Sequence, residues 1–425
     1  MKIGFAKSII TPEFPVLLSG FAVNRKSFGK LDDLYVKVII YEHNGKNYGV
    51  ITFDLVAIDS LIIDRVNSIL KEQKLDEDNF VCIATHTHSG PCGIVNTDNG
   101  VLKPVKEVFG ETNFELIEFI VEQTKVAIHD AIQGLKESVI RYRKDVLSDI
   151  GNNRNSRELK GNDEIVSLSI EQVKGKKIML TFFSCHPTVL NSENLMVSAD
   201  YPGAINTMLE AEGYLMNIFF NGSCGDISTR FSRKESSAQE LNRYAKMFVN
   251  KMKEMNKSSE KFEIEDIKYV HKNISLKTKK IMSEKEAKIK LDECTNKYNM
   301  AKLTQISSSE LRVIESLMEG AQANLRLAKN AYNFAEMNIH ITLVKINNKI
   351  IVFVPGELFS ELSNDIQNDD TIFVGYANGY VGYFANLDAY NNSCYEALSS
   401  PFEKGESEKM IDFIKEEIRT LKEEI

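Results

Sequence analysis

Phe80-Val81-Cys82-Ile83-Ala84-Thr85-His86-Thr87-His88-Ser89-Gly90-Pro91 is the stretch on which the reading of this chain turns. Its apolar start predicts a buried strand, and Gly90-Pro91 predicts the turn beyond it. Two of the seven histidines in 425 residues stand one residue apart where that strand ends. Successive side chains of a strand point to opposite faces, so the two imidazoles are expected to have different jobs. One would hold a metal and the other address a ligand. A bare His-x-His recurs by chance and carries little alone.

Three later segments add weight. Thr181-Phe182-Phe183-Ser184-Cys185-His186-Pro187-Thr188 repeats the design of an apolar strand, a histidine and a proline. A lone histidine there would read as a hydrogen-bonded core residue. Two such strand ends point to a shared site, because strand ends on one sheet edge converge. In Val352-Phe353-Val354-Pro355-Gly356-Glu357-Leu358, Glu357 is either an acid complementing a helix N-terminus or a metal ligand. Gly375-Tyr376-Ala377-Asn378-Gly379-Tyr380-Val381-Gly382-Tyr383, with Tyr390 and Tyr395-Glu396 after it, is dense in glycine and tyrosine. Glycine allows close backbone approach and phenols offer stacking area with a polar tip; surface packing is the plain alternative.

Other turns are candidates only in company. Asn221-Gly222-Ser223-Cys224-Gly225-Asp226-Ile227-Ser228 carries one acid, and Gly151-Asn152-Asn153-Arg154-Asn155-Ser156 an isolated arginine suited to a carbonyl or carboxylate oxygen. Ser198-Ala199-Asp200-Tyr201-Pro202-Gly203 reads as a further polar turn. Asp54, at the end of the strand 48–53, is expected to orient a ligand histidine.

Hydrophobic and charged contents of 43% and 26% are those of an ordinary globular chain. A net charge of −8 with no basic stripe argues against a nucleic-acid partner. No apolar run approaches the roughly 20 residues of a membrane span. The chain opens Met1-Lys2-Ile3-Gly4-Phe5-Ala6 with no secretory pattern, and its six scattered cysteines lack a CxxC. A cytoplasmic, reducing location is expected. Cys92, Cys185 and Cys224 fall near the candidate segments, so sulfur ligation stays open as a lesser alternative.

Alternating β-branched runs and helical patterns up to about residue 275 predict an α/β fold, a layered mixed sheet with flanking helices. Strands are expected at 36–41, 48–53, 80–84, 165–171, 178–184 and 216–220, and helices at 60–73, 114–135 and 238–255. Residues 283–338 break the rhythm. Capping boxes at Ser283–Glu286 and Ser307–Glu310 start two amphipathic helices. Their apolar stripes are Ala287, Leu291, Cys294, Tyr298 and Ala301, then Leu311, Ile314, Leu317, Met318, Ala321, Leu325, Ala328 and Tyr332. They predict an antiparallel helical hairpin inserted in a single unit spanning residues 1–425. It is a packing arm, a homo-oligomer contact or a lid. Strands follow at 340–346, 350–354 and 371–375, and a helix at 407–424.

In this order the segments resemble the catalytic domain of the neutral, non-lysosomal ceramidases, in a short bacterial-type version. The matches are His86 to Pro91, Asn153-Arg154, His186, Gly225 to Ser228, Pro355-Gly356-Glu357 and Asn378 to Tyr383, with Tyr390 and Tyr395-Glu396 in register. The resemblance implies one Zn²⁺ held by His86, His186, Glu357 and Tyr383, and substrate-amide contacts from His88, Arg154 and Tyr395. It implies a zinc-dependent amidohydrolase of sphingolipid type acting on a small-molecule N-acyl substrate through metal-activated water. Two departures stand out: Ser228-Thr229-Arg230-Phe231 leads almost directly into a helix, leaving no counterpart for the serine proposed as nucleophile in eukaryotic members. The immunoglobulin-like domain has no counterpart either. A smaller or more soluble amide than ceramide is therefore expected. The rivals are a metal-dependent phosphoesterase or esterase, which would want a second metal and a D-x-H segment, and a non-catalytic zinc-binding homologue.

Overall fold

The structure is a computed structural model and describes residues 1–425 except 23, 99, 157, 160, 331–334, 365, 369, 424 and 425. Its larger sheet contains β1 (Lys2–Ile9), β2 (Tyr35–His43), β3 (Lys46–Phe53), β4 (Phe80–Ala84), β5 (Lys136–Val146), β6 (Glu164–Gln172), β7 (Lys177–Phe183) and β8 (Asn217–Asn221). They lie in the order β8-β7-β6-β5-β1-β2-β3-β4, with β9 (Glu260–Phe262) beside β5. The smaller sheet places β10 (Ile267–Lys277), β11 (Glu336–Ile346), β12 (Lys349–Phe353) and β13 (Thr371–Val374) side by side in chain order.

Most neighbours are antiparallel, but β3–β4, β7–β8 and β12–β13 are parallel. A parallel pair needs a crossover, and helices α1 (Ser60–Glu72) and α3 (Asp200–Ala211) supply two of them, on either side of α2 (Phe114–Gln133) in the chain. Residues of β4 and β8 are buried throughout, as parallel strands covered on both faces must be. The carboxyl ends of β4, β7, β8, β12 and β13 lead respectively to His86, His186, Asp226, Glu357 and Tyr376. That is the edge at which α/β sheets collect ligand-binding groups.

Burial falls into layers. Helices α1, α2 and α3, with α4 (Ala238–Lys257), cover one face of the large sheet through residues such as Ile62, Ile117, Ile205 and Phe248. The two sheets share a core of Ile83, Phe182, Phe220, Val344, Phe353 and Val374. Residues 375–378 stitch them together. Ala84 N donates to Tyr376 O at 3.0 Å, Asn378 N to Cys82 O at 2.8 Å, and Gly375 N to Asn221 O at 2.9 Å.

The layered α/β reading holds, and most expected elements lie within two or three residues of their observed ends. Some elements did not emerge from the sequence, β5, β10 and α3 the longest among them. β5 and β10 are 11-residue strands dense in Lys, Arg and polar residues, with little fully buried surface. The expected polar turn at 198–203 is instead the start of α3. Asp200 stands at its entry with φ of 57°, and Pro202 sits in the first turn, where a missing N–H costs nothing.

The inserted arm is α5 (Glu284–Lys302) and α6 (Ser308–Lys329), and both capping boxes are present. Only Ala287 of α5 is fully buried, whereas α6 buries Ser316, Ala321, Ala323, Asn324 and Leu327. The expected Leu–Ile stripe of α6 is half-buried; its fully covered face is smaller and more polar. Tyr332, expected at the end of that stripe, lies outside the described residues. A Cβ on Gly320 would come 2.9 Å from Leu398 Cδ1, so this glycine lets α6 close onto α7 (Tyr395–Ser399). The chain ends in α8 (Glu406–Glu423), which covers the smaller sheet with Met410, Ile414 and Ile418.

Candidate metal centre

Leaving β4, the backbone turns abruptly. His86 has φ of 69°, a left-handed conformation that costs about 1–3 kcal/mol for a non-glycine residue. The turn breaks the strand alternation, with the result that His86 and His88 do not point to different faces. Their Nε2 atoms lie 3.1 Å apart. Gly20 makes room for this: a Cβ there would meet the His88 ring at 2.4 Å.

His86 Nδ1 donates to Val56 O at 2.7 Å and His186 Nδ1 to Ile227 O at 2.9 Å. Each bond fixes the ring and leaves the Nε2 lone pair of the neutral imidazole free. Glu357 Oε2 lies 2.9 Å from His186 Nε2 and 3.5 Å from His86 Nε2. Three acceptor atoms thus converge in a place 0–2% exposed. Acceptors turned on one another without a proton or cation between them repel. Bonds of about 2.0–2.2 Å around a tetrahedral zinc put ligand atoms roughly 3.3–3.5 Å apart, so the residues fit such an ion. His86, His88 and His186 form one metal-capable cluster, with ring nitrogens within 4.8 Å of one another.

Burial alone would raise the Glu357 carboxyl, but positive charge on His86 and His186 outweighs it and holds the group well below the usual range. Burial, with Arg154 beside it, pulls His186 down to about 4. His88 is pushed well below its ordinary value by burial and by His86 and His186. Its Nδ1 has no hydrogen-bond partner among the described residues. The other oxygen of Glu357 accepts from Tyr380 Oη, and the Tyr376 ring stacks on His86 at 4.1 Å.

Arg154 links the remaining candidates. Its Nη2 donates to Tyr383 Oη at 3.0 Å, its Nη1 lies 3.3 Å from His186 Nε2, and its Nε donates to Glu396 Oε1 at 2.6 Å. Tyr383 pairs with Glu357 in a short parallel bridge, but its phenol reaches Arg154 and is held well above its ordinary pKa by burial. The Tyr395 ring sits edge-on to Tyr383 at 5.8 Å. Asp226 fixes the loops: it accepts from Asn153 Nδ2 at 2.9 Å and from Ser360 N and Oγ at 2.7 and 2.8 Å. A Cβ on Gly356 would strike Gly382 O at 2.4 Å, which explains the Pro-Gly break before Glu357.

Several expectations fall elsewhere. Asp54 orients no histidine; it pairs with buried Lys37 at 3.2 Å, and His86 takes its orientation from a backbone carbonyl instead. Tyr390 is structural, donating to Phe402 O at 2.7 Å. Cys224 Sγ contacts Tyr376 Oη at 3.1 Å and Cys185 Sγ the carbonyl of its own neighbour; no thiol joins a metal-capable cluster among the described residues. Sequence reasoning left Tyr376 and Tyr380 without roles, although both stand in the tyrosine-rich segment. It passed over Arg230, Arg312, Ser316 and Glu319, which no local pattern marks.

A pocket of about 1180 Å³, counted out to open solvent, lies over the cluster. One wall is apolar, with Val101, Leu102, Val105 and Phe109, and α6 forms another with Arg312, Ser316, Glu319 and Leu327. Among the described residues no helix is long and apolar enough to cross a membrane.

This architecture has counterparts. The crystal structure of neutral ceramidase from Pseudomonas aeruginosa aligns over 100% of this chain and 75% of its own, at 18% identity and a TM-score of 0.75. A structure described as ceramidase complexed with C2 aligns with the same coverage at 16% identity and a TM-score of 0.76. Both establish a shared fold. Residues 1–313 match the family model described as neutral/alkaline non-lysosomal ceramidase, N-terminal; the chain belongs to that family.

Proposed function

We propose that the protein is a zinc-dependent hydrolase cleaving the amide bond of an N-acyl compound, one catalytic unit over residues 1–425 with the 283–338 arm inserted in it. The observation that carries this reading is the convergence of His86 Nε2, His186 Nε2 and Glu357 Oε2 beside Arg154, at the base of a half-apolar pocket. His86, His186 and Glu357 would hold the ion. Tyr383 would be the fourth ligand after losing its proton, a loss that the adjacent Arg154 favours. Zinc, when bound, acts as a Lewis acid that makes water nucleophilic near pH 7 and polarises a carbonyl.

The chain's own groups supply the rest. Tyr380 holds the second oxygen of Glu357 and so sets the orientation of the carboxylate. Arg154 offers guanidinium donors to the carbonyl oxygen as charge develops there. His88 has a ring packed edge-on to Phe21 at 4.9 Å and an Nδ1 free of partners among the described residues. Its Nε2 faces His86, so Nδ1 is the atom left open to the substrate, which suits carriage of a proton to the departing nitrogen. Tyr395 stands across from Tyr383 and addresses the same amide. In net terms a water oxygen adds to the acyl carbon, the C–N bond breaks, and the amine leaves with the proton. No serine is acylated, so a pre-steady-state burst is not expected. The six free thiols support a cytoplasmic setting.

Metal analysis of the purified protein, followed by turnover of N-acyl amines, phosphoesters and simple esters, tests the reading. About one zinc per chain with amide cleavage is expected. Cleavage of phosphoesters alone would favour a phosphoesterase, and a full metal complement without turnover a binding protein.

A further inference from the structure

The pocket carries four guanidinium groups, and three are matched by acids. Arg154 pairs with Glu396 at 2.6 Å, Arg312 with Glu319 at 2.9 Å and Glu315 at 3.5 Å, and Arg326 with Glu107 at 3.0 Å. Arg230 has no carboxylate within ion-pair distance among the described residues. Its Nη1 donates to Arg154 O at 2.8 Å and its Nη2 to Ser316 Oγ of α6 at 3.3 Å. Both partners are neutral oxygens that position the guanidinium without neutralising it. Burial, with Arg312 and Arg154 close by, lowers its pKa to about 9. A half-buried guanidinium beside two others, with no acid of its own, is costly unless something else completes it.

We propose that Arg230 completes its ion pair with the substrate, reading an oxyanion on the amine half of the amide. This rests on the amide-hydrolase reading above and narrows it. The apolar lining of Val101, Leu102, Val105 and Phe109 suits an acyl chain. The anion site lies next to the reacting centre, because the residue that anchors Arg230 also reaches His186. The planar fork of arginine suits a carboxylate or phosphate. The substrate class is therefore an N-acylated amino acid, or an amide whose amine carries a phosphate. Hydrolysis transfers the acyl group to water and releases the amine with its anion intact. Glu319 also lines the pocket, but Arg312 engages it and leaves Arg230 as the open cation.

The test uses zinc-loaded full-length protein and three amides of one acyl chain: N-octanoylglycine, N-octanoylethanolamine and the phosphate ester of the latter. At least roughly tenfold higher kcat/KM is expected for one of the anionic amides over the neutral one, expressed in KM, the scale of one charged hydrogen-bonded contact. The better anion identifies its source. Arg230→Gln should erase the preference while keeping kcat on the neutral amide within about threefold. Arg230→Lys should restore part of the preference, which excludes a general folding defect. Equal use of neutral and anionic amides by the unaltered protein, or a preference surviving in Arg230→Gln, would overturn the inference and leave the amidase reading standing. If no amide is cleaved, that reading fails instead. Calorimetric binding of N-octanoylglycine against N-octanoylethanolamine then decides the role of Arg230 without turnover: a preference that Arg230→Gln abolishes supports it, and any other result overturns it.

Discussion

The floor of the pocket and the arm above it are built on opposite principles. Floor residues come from strand ends, are 0–8% exposed, and have their orientation fixed by backbone carbonyls or buried partners. The arm is two helices started by capping boxes, with Met300 and Leu303 exposed at 68% and 84% near the turn between them. The floor is over-determined by the sheets that feed it. The arm meets the rest of the molecule chiefly through α6, by small residues such as Gly320 and by pairs such as Arg326 with Glu107. Under the proposed function, chemistry would belong to the floor and recognition to the arm, which can change without disturbing it.

The most damaging way to probe that division is His186→Ala. It should remove most of the bound metal and lower kcat/KM by about 10³-fold or more, since ligand and Lewis acid go together. Full metal retention, read by elemental analysis, would remove His186 from the ligand set. His88→Ala is the next step down. Its Nδ1 lacks a partner among the described residues, which under the proposed function leaves it to the substrate, so metal should stay while kcat falls about 10²-fold. Metal loss equal to that of His86→Ala would make all three histidines ligands, the alternative that their 4.8 Å cluster keeps alive.

Replacing residues 284–329 by a short Gly/Ser link sharpens the contrast from the other side. Zinc content should be unchanged, while KM rises about tenfold and selectivity among amides broadens. Chromatography of the same protein tests whether the arm joins copies of the chain. Zinc loss in a still-folded protein would show that floor and arm are one structure.

The smallest effect concerns Lys279 at the base of the arm. Its ammonium lies 3.4 Å from Asn324 Oδ1 of α6 and also donates to Leu398 O of α7. Loss of solvation lowers its pKa to about 7. A lysine depressed in the fold binds fewer protons there than in the unfolded chain. Its contribution to stability therefore rises with pH from about 7 towards the ordinary lysine value of 10.5 and disfavours folding below that window. Lys279→Met should flatten the rise of the melting temperature between pH 7 and 10; an unchanged slope would show that this lysine keeps its charge.

The floor was legible because its residues announce themselves locally. An apolar strand followed by His-x-His, His-Pro or Pro-Gly-Glu is a pattern of neighbours, and the strands they end could be found from hydrophobicity. Where the reading slipped, the cause was geometric. The positive φ of His86 reverses the expected alternation, and no composition signals it. Lys37 claims Asp54 across adjacent strands, a pairing invisible in a linear reading. Arg230 and Ser316 meet only because the arm folds back, 86 residues later in the chain. β5 and β10 were missed because much of their surface is solvated, which leaves them without an apolar run.

The stitch at residues 375–378 has a consequence for how the molecule holds together. His86 and His186 issue from the larger sheet, Glu357 from the smaller, and the family match ends at residue 313, before Glu357. Neither part of the chain owns a complete site. An ion that bound only the docked arrangement would stabilise it by RT ln(1 + [L]/Kd), about 2.7 kcal/mol at a hundredfold excess over Kd. The centre would then act as a clasp as well as a reagent. Metal affinity and sheet–sheet cohesion become two readings of one linked equilibrium, and chelation should loosen the seam at 375–378 before either sheet unravels.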